Sequence, residues 1–319
     1  MFKNILVASD GSEHSDRAFG VAIHFARSLG SSLSIVTVVP SYPEYSFGTV
    51  PGSPLVVPEE EQVRFHREIA TRLKERAESG GVKSVTCEVL EGHPGELILT
   101  ESKTQNADLI VLGARGISRA RRLLLGSVSH SVAIESTAPV LVVRGGASPK
   151  ENQRTPTPDR IVVATDGSPS AGRALEAATE LAKAVDVPLR IVTVVPSLLD
   201  EGLSPIILQR NEERLLKDAQ TLVDHCRDLA TQGGARDVLT EVLRGTPAES
   251  VLDYLGKGTS HLLVVGSRGR SRARVLLLGS VSTALLHHTP SMVMVVKASV
   301  HGARSADLAN SRTPGPPSR

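Results

Sequence analysis

The chain contains itself twice. "NILVASDGS" at 4–12 returns as "RIVVATDGS" at 160–168, and "SIVTVVPS" at 34–41 returns as "RIVTVVPS" at 190–197. "CEVLEGHPGE" at 87–96 returns as "TEVLRGTPAE" at 240–249, and "DLIVLGARG" as "HLLVVGSRG". The offset is 156 residues through the second strand and 153 from Cys87 onward, so the first copy is three residues longer in the segment after Pro40. A period of about 150 residues is the size of a domain and far longer than a solenoid unit. The 319 residues therefore divide into a first domain at 1–145, a polar Gly- and Pro-bearing linker at 146–158, a second domain at 159–298, and a tail at 299–319 whose composition reads as disordered.

Within each copy, short β-branched runs alternate with amphipathic helical patterns. In the first copy strands are expected at 4–9, 32–39, 83–90, 108–112 and 140–144. Helices are expected at 13–29, 59–79, from Pro94 to about 105, and from Ser127 to about 136. Gly30 supplies a left-handed stop, Pro94 opens a helix where its missing N–H is harmless, and Ser12 and Ser168 stand where helix caps belong. Runs such as "LIVLG" and "VLVVR" suit strands covered on both faces. The fold class is α/β, with two tandem, doubly wound, Rossmann-like domains on parallel sheets.

Bulk composition removes several functions. Net charge is +2, too small for the field that draws a protein onto nucleic acid or a membrane surface. Trp is absent and aromatics are 3% of residues, which leaves no stacking platform for single strands. No apolar stretch is long enough to cross a bilayer, and the N-terminus lacks a signal-peptide layout. Cys87 and Cys226 stand alone in apolar segments, without metal or redox spacing, and read as small buried hydrophobes in a reducing compartment. The expectation is a cytoplasmic protein that uses neither nucleic acid nor membrane.

Basic character is local. "GARGISRARRLLLGSVSHSV" begins at Gly113 and "GSRGRSRARVLLLGSVSTAL" at Gly266, each with four arginines and no carboxylate. In an open parallel sheet, ligands bind beyond the carboxyl ends of the strands where strand order reverses. The first strand of each copy ends at Asp10 or Asp166, and the fourth at Gly113 or Gly266. If these strands are neighbours, the aspartate and the loop share one crevice. Gly113 and Gly116 permit a tight turn and close approach of a ligand to the main chain. Gly126-Ser127 opens a helix whose free N–H groups form an anion site, better suited to phosphate than to carboxylate because several donors converge. Arg115 and Arg268, between the paired glycines, are the arginines expected to matter, while the others also fit a solvated rim. Asp10 fits an Asx turn as well as a ligand contact. His93 is Thr246 in the copy and His287-His288 sit where helix C-terminal charge belongs, so neither suggests shared catalysis or a metal.

Gly-x-x-Gly-(nine residues)-Gly-Ser, found twice after matched strands, resembles the nucleotide-binding fingerprint of the universal stress protein family, as do "VASDGS", "VTVVP", "GHPGE" and "PVLVVR". The resemblance covers both domains. It implies the adenine nucleotide alpha-hydrolase-like fold, a five-stranded parallel sheet of order 3-2-1-4-5 in each domain, and ATP at the switch point. In the first domain it implies contacts from Ala8, Ser9 and Asp10, adenine-edge reading by the main chain of Val38, and ribose and phosphate contacts from Gly113, Arg115, Gly116, Gly126, Ser127, Val128 and Ser129. In the second it implies the same of Ala164, Thr165, Asp166, Val194, Gly266, Arg268, Gly269, Gly279, Ser280, Val281 and Ser282. Many relatives have His where Arg115 and Arg268 stand.

The chain has no P-loop lysine motif and no acidic pair for metal ions, so a divalent ion such as Mg or Mn would ride on the nucleotide phosphates. The expected function is an ATP-binding stress-response module with little or no hydrolysis and a protein partner that the sequence does not name. The alternatives are an adenylate-transferring or slowly ATP-hydrolysing enzyme on the same fold and a cyclic AMP binder. His-x-Gly-His is absent, and "SDGSEHSD" matches the Ser-Gly-Gly-x-Asp-Ser loop poorly. The 41–58 segment is Pro-rich and long enough for a flap. "PVLVVR" and "PSMVMVVK" are expected at sheet edges. By the resemblance they pair antiparallel, making a pseudo-dimer within one chain. Further association of two such chains as a homodimer is compatible with this arrangement.

Overall fold

The computed structural model describes residues 2–41, 49–50, 53–54, 59–116, 125–144, 157–196, 205–256, 261–269 and 278–297. The first half runs β1 (Asn4–Ala8), α1 (Glu13–Leu29), β2 (Ser32–Pro40), a ribbon β3 (Thr49–Val50) and β4 (Ser53–Pro54), α2 (Glu59–Ser79), β5 (Val85–Gly92), α3 (Pro94–Thr104), β6 (Leu109–Gly113), α4 (Ser127–Glu135) and β7 (Val140–Val143). The second runs β8 (Arg160–Ala164), α5 (Pro169–Val185), β9 (Leu189–Val195), α6 (Pro205–Gln232), β10 (Val238–Arg244), α7 (Pro247–Leu255), β11 (His261–Gly266), α8 (Ser280–His288) and β12 (Met292–Val296).

Local chemistry sets these bounds. Ser12 caps α1 by accepting from the Ser15 N–H at 3.2 Å, and Gly30 ends it at φ 69°. Ser168 caps α5 from Ala171 N at 3.3 Å, with Pro169 in the first turn. The equivalent of Gly30 is Asp186, which takes the same left-handed backbone at φ 53°. One stripe of α1 (Ala18, Phe19, Ala22, Phe25, Ala26) is buried against the sheet, and Ala174, Leu175, Ala178, Leu181 and Ala182 do the same for α5.

The strands do not form two separate sheets. They form one ten-stranded sheet, β10-β9-β8-β11-β12-β7-β6-β1-β2-β5, and the β3–β4 ribbon stands apart from it. Within each half, leaving out the ribbon, the third, second, first, fourth and fifth strands follow one another in space, all parallel. The halves join where β7 and β12 pair antiparallel, Met292 opposite Val143 and Val295 opposite Val140. β7 and β12, each the edge strand of its own half, thus pair antiparallel with each other as the resemblance implied, and lie in the middle of the joined sheet. The true edges are β5 and β10, which carry Glu88, Glu91, Glu241 and Arg244, the charges that discourage further pairing.

One face of the sheet packs against α1, α2, α5 and α6, and the other against α3, α4, α7 and α8. β6, "LIVLG", is buried along its whole length, as a strand covered on both faces must be. Across the joint, Arg144 donates to Leu286 O (2.7 Å) and His287 O (2.9 Å) at the end of α8. Lys297, its equivalent in the repeat, donates to Ile134 O (2.7 Å) at the end of α4. Each half thereby supplies the cation at the other's helix C-terminus.

Two expectations need correction. His287 is not a free helix-end charge: its Nε2 lies 3.2 Å from His130 Nδ1, and burial, with His130 second, holds its pKa below the usual histidine value. Cys87 is half-buried, its thiol 3.5 Å from Ala70 O, whereas Cys226 is buried. Burial pushes the Cys87 thiol up to about 11, so it is unreactive near neutrality. The flap segment is described only at its ribbon, and the 299–319 tail and most of the linker lie outside the described residues.

Candidate functional site

The sheet reverses its winding between β1 and β6. β1 passes through α1 to β2 on one side, and β6 passes through α4 to β7 on the other. The loops at these two strand ends face each other, as an open α/β sheet requires at its switch point. β8 and β11 repeat the arrangement.

The β1 loop is organised by its own side chains. Ser9 N donates to Val36 O at 2.9 Å, the last main-chain link between β1 and β2. Asp10 Oδ1 accepts from Ser12 N at 3.0 Å, the Asx turn expected of it. Its other oxygen faces the β6 loop, in the space a Cβ on Gly116 would take. Asp166 repeats both relationships: Oδ1 accepts from Ser168 N at 3.0 Å, and Oδ2 lies 2.7 Å from where a Gly269 Cβ would stand. Since Val36 O points toward β1, the two-residue alternation of a strand turns the main chain of Val38 the same way, beyond the last residue of β1. Thr165 N bonds Val192 O at 2.9 Å, and Val194 is left in the same position.

The glycines divide into two kinds. A Cβ on Gly113 would meet the main chain of His14 and Ser15 at 2.7–2.8 Å, and one on Gly266 would meet Ser170 and Ala171 at 2.6–2.8 Å. These two let the helix after the first strand pack against the fourth strand, a demand of packing where the sequence suggested ligand approach. Gly116 and Gly269 are exposed and face the aspartates. Gly126 returns the chain to the crevice: its N donates to Ala114 O at 2.8 Å and its Cα side lies near Gly116 N. Gly279 N donates to Ser267 O at 2.9 Å.

Helices α4 and α8 then begin at Gly126 and Gly279 without a side-chain cap. The first intrahelical bonds are His130 N to Gly126 O (2.9 Å) and Thr283 N to Gly279 O (2.8 Å). The amides of Ser127, Val128 and Ser129, and of Ser280, Val281 and Ser282, precede them and carry the positive end of the helix dipole. The third residue of each set contributes only its amide. The Ser129 hydroxyl is buried and donates to Gly113 O at 2.6 Å, and Ser282 donates to Gly266 O at 2.7 Å.

Positive charge is concentrated beside these helix starts. Burial, with Arg115 second, lowers the Arg144 pKa to about 10. Burial, with Arg268 second, lowers Lys297 to about 8. Each half therefore sets two cations together at the ends of its fourth and fifth strands. Arg119, Arg121, Arg122, Arg270, Arg272 and Arg274 lie outside the described residues. Among the described residues no cluster of three or more His, Cys, Asp or Glu could hold a metal ion.

The two crevices differ in one respect that the motifs hid. In the second half Ser170 Oγ donates to Arg268 O at 2.5 Å and accepts from Arg268 N at 3.3 Å, and Ser168 Oγ adds a bond to Arg268 O at 3.0 Å. In the first half the equivalent of Ser170 is His14, and Ser12 Oγ donates to Arg115 O at 3.4 Å. Burial and then Arg115 hold the His14 pKa low, and its Nδ1 is buried without a hydrogen-bond partner.

The sequence model of the universal stress protein family matches residues 1–144 and again 158–297. The chain belongs to the universal stress protein family. A universal stress protein of Thermus aquaticus is 38% identical over 145 residues, spanning 45% of this chain and all of the relative. Universal stress protein YxiE of Bacillus subtilis (strain 168) is 37% identical over 149 residues, again 45% of this chain and all of the relative. Among solved structures, a universal stress protein from Archaeoglobus fulgidus DSM 4304 superposes with a TM-score of 0.67 at 22% identity, covering 92% of this chain and 98% of its own. A putative universal stress protein from Pseudomonas aeruginosa UCBPP-PA14 gives 0.63 at 17%, covering 97% and 98%. The latter two share the tandem fold. Among the described residues, no helix of this universal stress protein is long and apolar enough to cross a membrane.

Proposed function

We propose that this chain is an ATP-binding stress-response module with two nucleotide sites, one at each switch point. The observation that carries the reading is the same crevice built twice from different neighbours: an aspartate against a side-chain-free turn, an uncapped helix start, and paired cations. Convergent amides and fixed positive charge suit a polyphosphate. The aspartate carboxylate, facing the glycine turn across the crevice, suits a ribose hydroxyl. The main chain of Val38 or Val194, turned toward the crevice beyond the last residue of β1 or β8, suits the donor–acceptor edge of adenine. A divalent ion, Mg or Mn, would be held by the phosphates. Among the described residues neither crevice places a carboxylate or histidine pair as base and metal holder, and the reading is a module that binds and signals with little or no turnover. Nucleotide occupancy would order the loops at these strand ends and change a surface that a protein partner reads.

Equilibrium dialysis of ligand-stripped protein against labelled ATP tests this reading. Two moles bound per mole of chain supports it. Absence of saturable binding overturns it, and steady pyrophosphate or phosphate release at enzyme rates would move the chain to the adenylate-transferring or hydrolytic class.

A further inference from the structure

A second kind of site lies on the α5–α6 side of the second crevice, sharing with it the β8–α5 loop at Thr165, Gly167 and Ser168. Between α5 and α6 runs a groove of about 580 Å3, reaching from the β8–α5 loop at Gly167 to Gly233 at the end of α6. That volume is in the range of small-molecule pockets. Its floor is apolar, made by Leu175, Leu222, Cys226 and Leu229, and Leu229 is 46% exposed along one wall.

The duplication explains how the groove arose. In the first half, Arg76 on α2 crosses to Asp16 on α1 in a salt bridge, and its guanidinium lies 5.4 Å from the centre of the Phe19 ring. These three side chains cover the α1–α2 seam. The repeat offsets place Gly172, Leu229 and Leu175 at the same three positions in the second half. The bridge is gone, the phenyl ring has become a smaller side chain, and the seam is open. A carboxylate has also been added: Gly20, buried in α1, corresponds to Glu176 on the groove's rim. Glu176 has no ion-pair or hydrogen-bond partner among the described residues. Glu180 lies on the same wall and accepts from Phe2 N at 3.2 Å. Lys183 stands at the far end, with its chain against Gly234. The rim thus sets two carboxylates against one ammonium, with the His225 imidazole on the α6 side.

We propose that the α5–α6 groove of the second half binds a small cationic amphiphile, with an apolar body on the leucine floor and an ammonium group beside Glu176. Isothermal titration with decylamine and with decanoate, both below their micelle concentrations, tests it. The expected result is one saturable decylamine site per chain and decanoate binding about tenfold weaker. The double variant G172D/L229R restores the first half's bridge, an arrangement this fold already accommodates, and should abolish the site. L175F, which returns the ring to the floor, is a second and milder closure. E176Q should retain the apolar binding and lose most of the preference for the amine. Decylamine binding that persists undiminished in both closed variants, decanoate binding as tight as decylamine, or no saturable binding of either would each overturn the proposal.

Discussion

The carboxylate of Asp10 occupies the space that a side chain on Gly116 would need, and Asp166 stands in the same relation to Gly269. Two strand ends more than a hundred residues apart are thereby held in contact by the absence of a Cβ. Gly116→Ala should push the Asp10 carboxylate away and break its bond to Ser12 N, at a stability cost of about 1 kcal/mol. Nucleotide stoichiometry by calorimetry should fall from two to one. Gly113→Ala should behave differently. Its Cβ would strike main-chain atoms of His14 and Ser15, which cannot swing aside, and the cost should be roughly 1–3 kcal/mol in urea denaturation. Equal effects of the two substitutions would show that the division of the glycines is mistaken.

Ser170 is the residue that makes the two crevices unequal. Its hydroxyl holds both the N–H and the carbonyl of Arg268, at 3.3 and 2.5 Å, whereas in the first half the position of Ser170 is taken by His14 and the Ser12 hydroxyl reaches Arg115 O at 3.4 Å. A pre-ordered loop has less freedom to lose on binding. The second site should therefore bind ATP more tightly than the first, and Ser170→Ala should weaken it about fivefold to tenfold, in line with one net hydrogen bond. Site-resolved titration, with the other site disabled by Gly116→Ala, gives the comparison. An unchanged second-site affinity in Ser170→Ala would remove the loop argument.

Much of this arrangement was open to reading in the chain, and the parts that were not share a cause. Caps and stops such as Ser12, Gly30 and Pro94 act within a few residues, so the helices they bound were found to within a residue or two. Continuous apolar runs such as Leu109–Gly113 announced strands buried on both faces. The glycine loops could be read because they occur twice. The packing role of Gly113 was not legible, because the atoms it avoids belong to a helix about a hundred residues earlier. The His130–His287 contact was hidden by the repeat itself: their counterparts are Thr283 and Ile134, so nothing in the duplication pairs them. The α5–α6 groove comes from losses at three scattered positions, each unremarkable alone.

His261 should make stability depend on pH. It is 1% exposed at the start of β11, its Nε2 has no hydrogen-bond partner, and burial followed by Arg160 lowers its pKa to about 4. The unfolded chain keeps the ordinary value near 6.5. Between these values the unfolded chain binds more protons than the folded one, so stability falls as pH falls. The penalty is absent above about pH 6.5, grows from there downward, and levels off below about pH 4, at roughly 3 to 3.5 kcal/mol. His14, His24 and His287 are also lowered, so wild-type data alone do not isolate His261. The difference in urea midpoint between wild type and His261→Leu, measured from pH 8 to pH 4, does. A difference that stays constant across that range would exclude His261 as the source.

Arg144 and Lys297 occupy equivalent positions and cap each other's half, yet their removal should have unequal effects. Arg144 makes two bonds, to Leu286 O and His287 O, and with a pKa of about 10 it remains fully charged at neutrality. Arg144→Ala should cost roughly 1.5–3 kcal/mol, the range for charge-assisted bonds at a helix C-terminus. Lys297 makes one bond, to Ile134 O, and its ammonium is already disfavoured by burial and by Arg268, which bring its pKa to about 8. Lys297→Met keeps the apolar stem and discards a charge that the site opposes, so it should cost about 1 kcal/mol or less. Both act at the seam where Val142 faces Val293, so hydrogen exchange of those β7 and β12 amides should quicken in Arg144→Ala and change little in Lys297→Met. If the two variants accelerate exchange equally, the depressed lysine is contributing as much as the arginine, and the burial penalty assigned to it is too large.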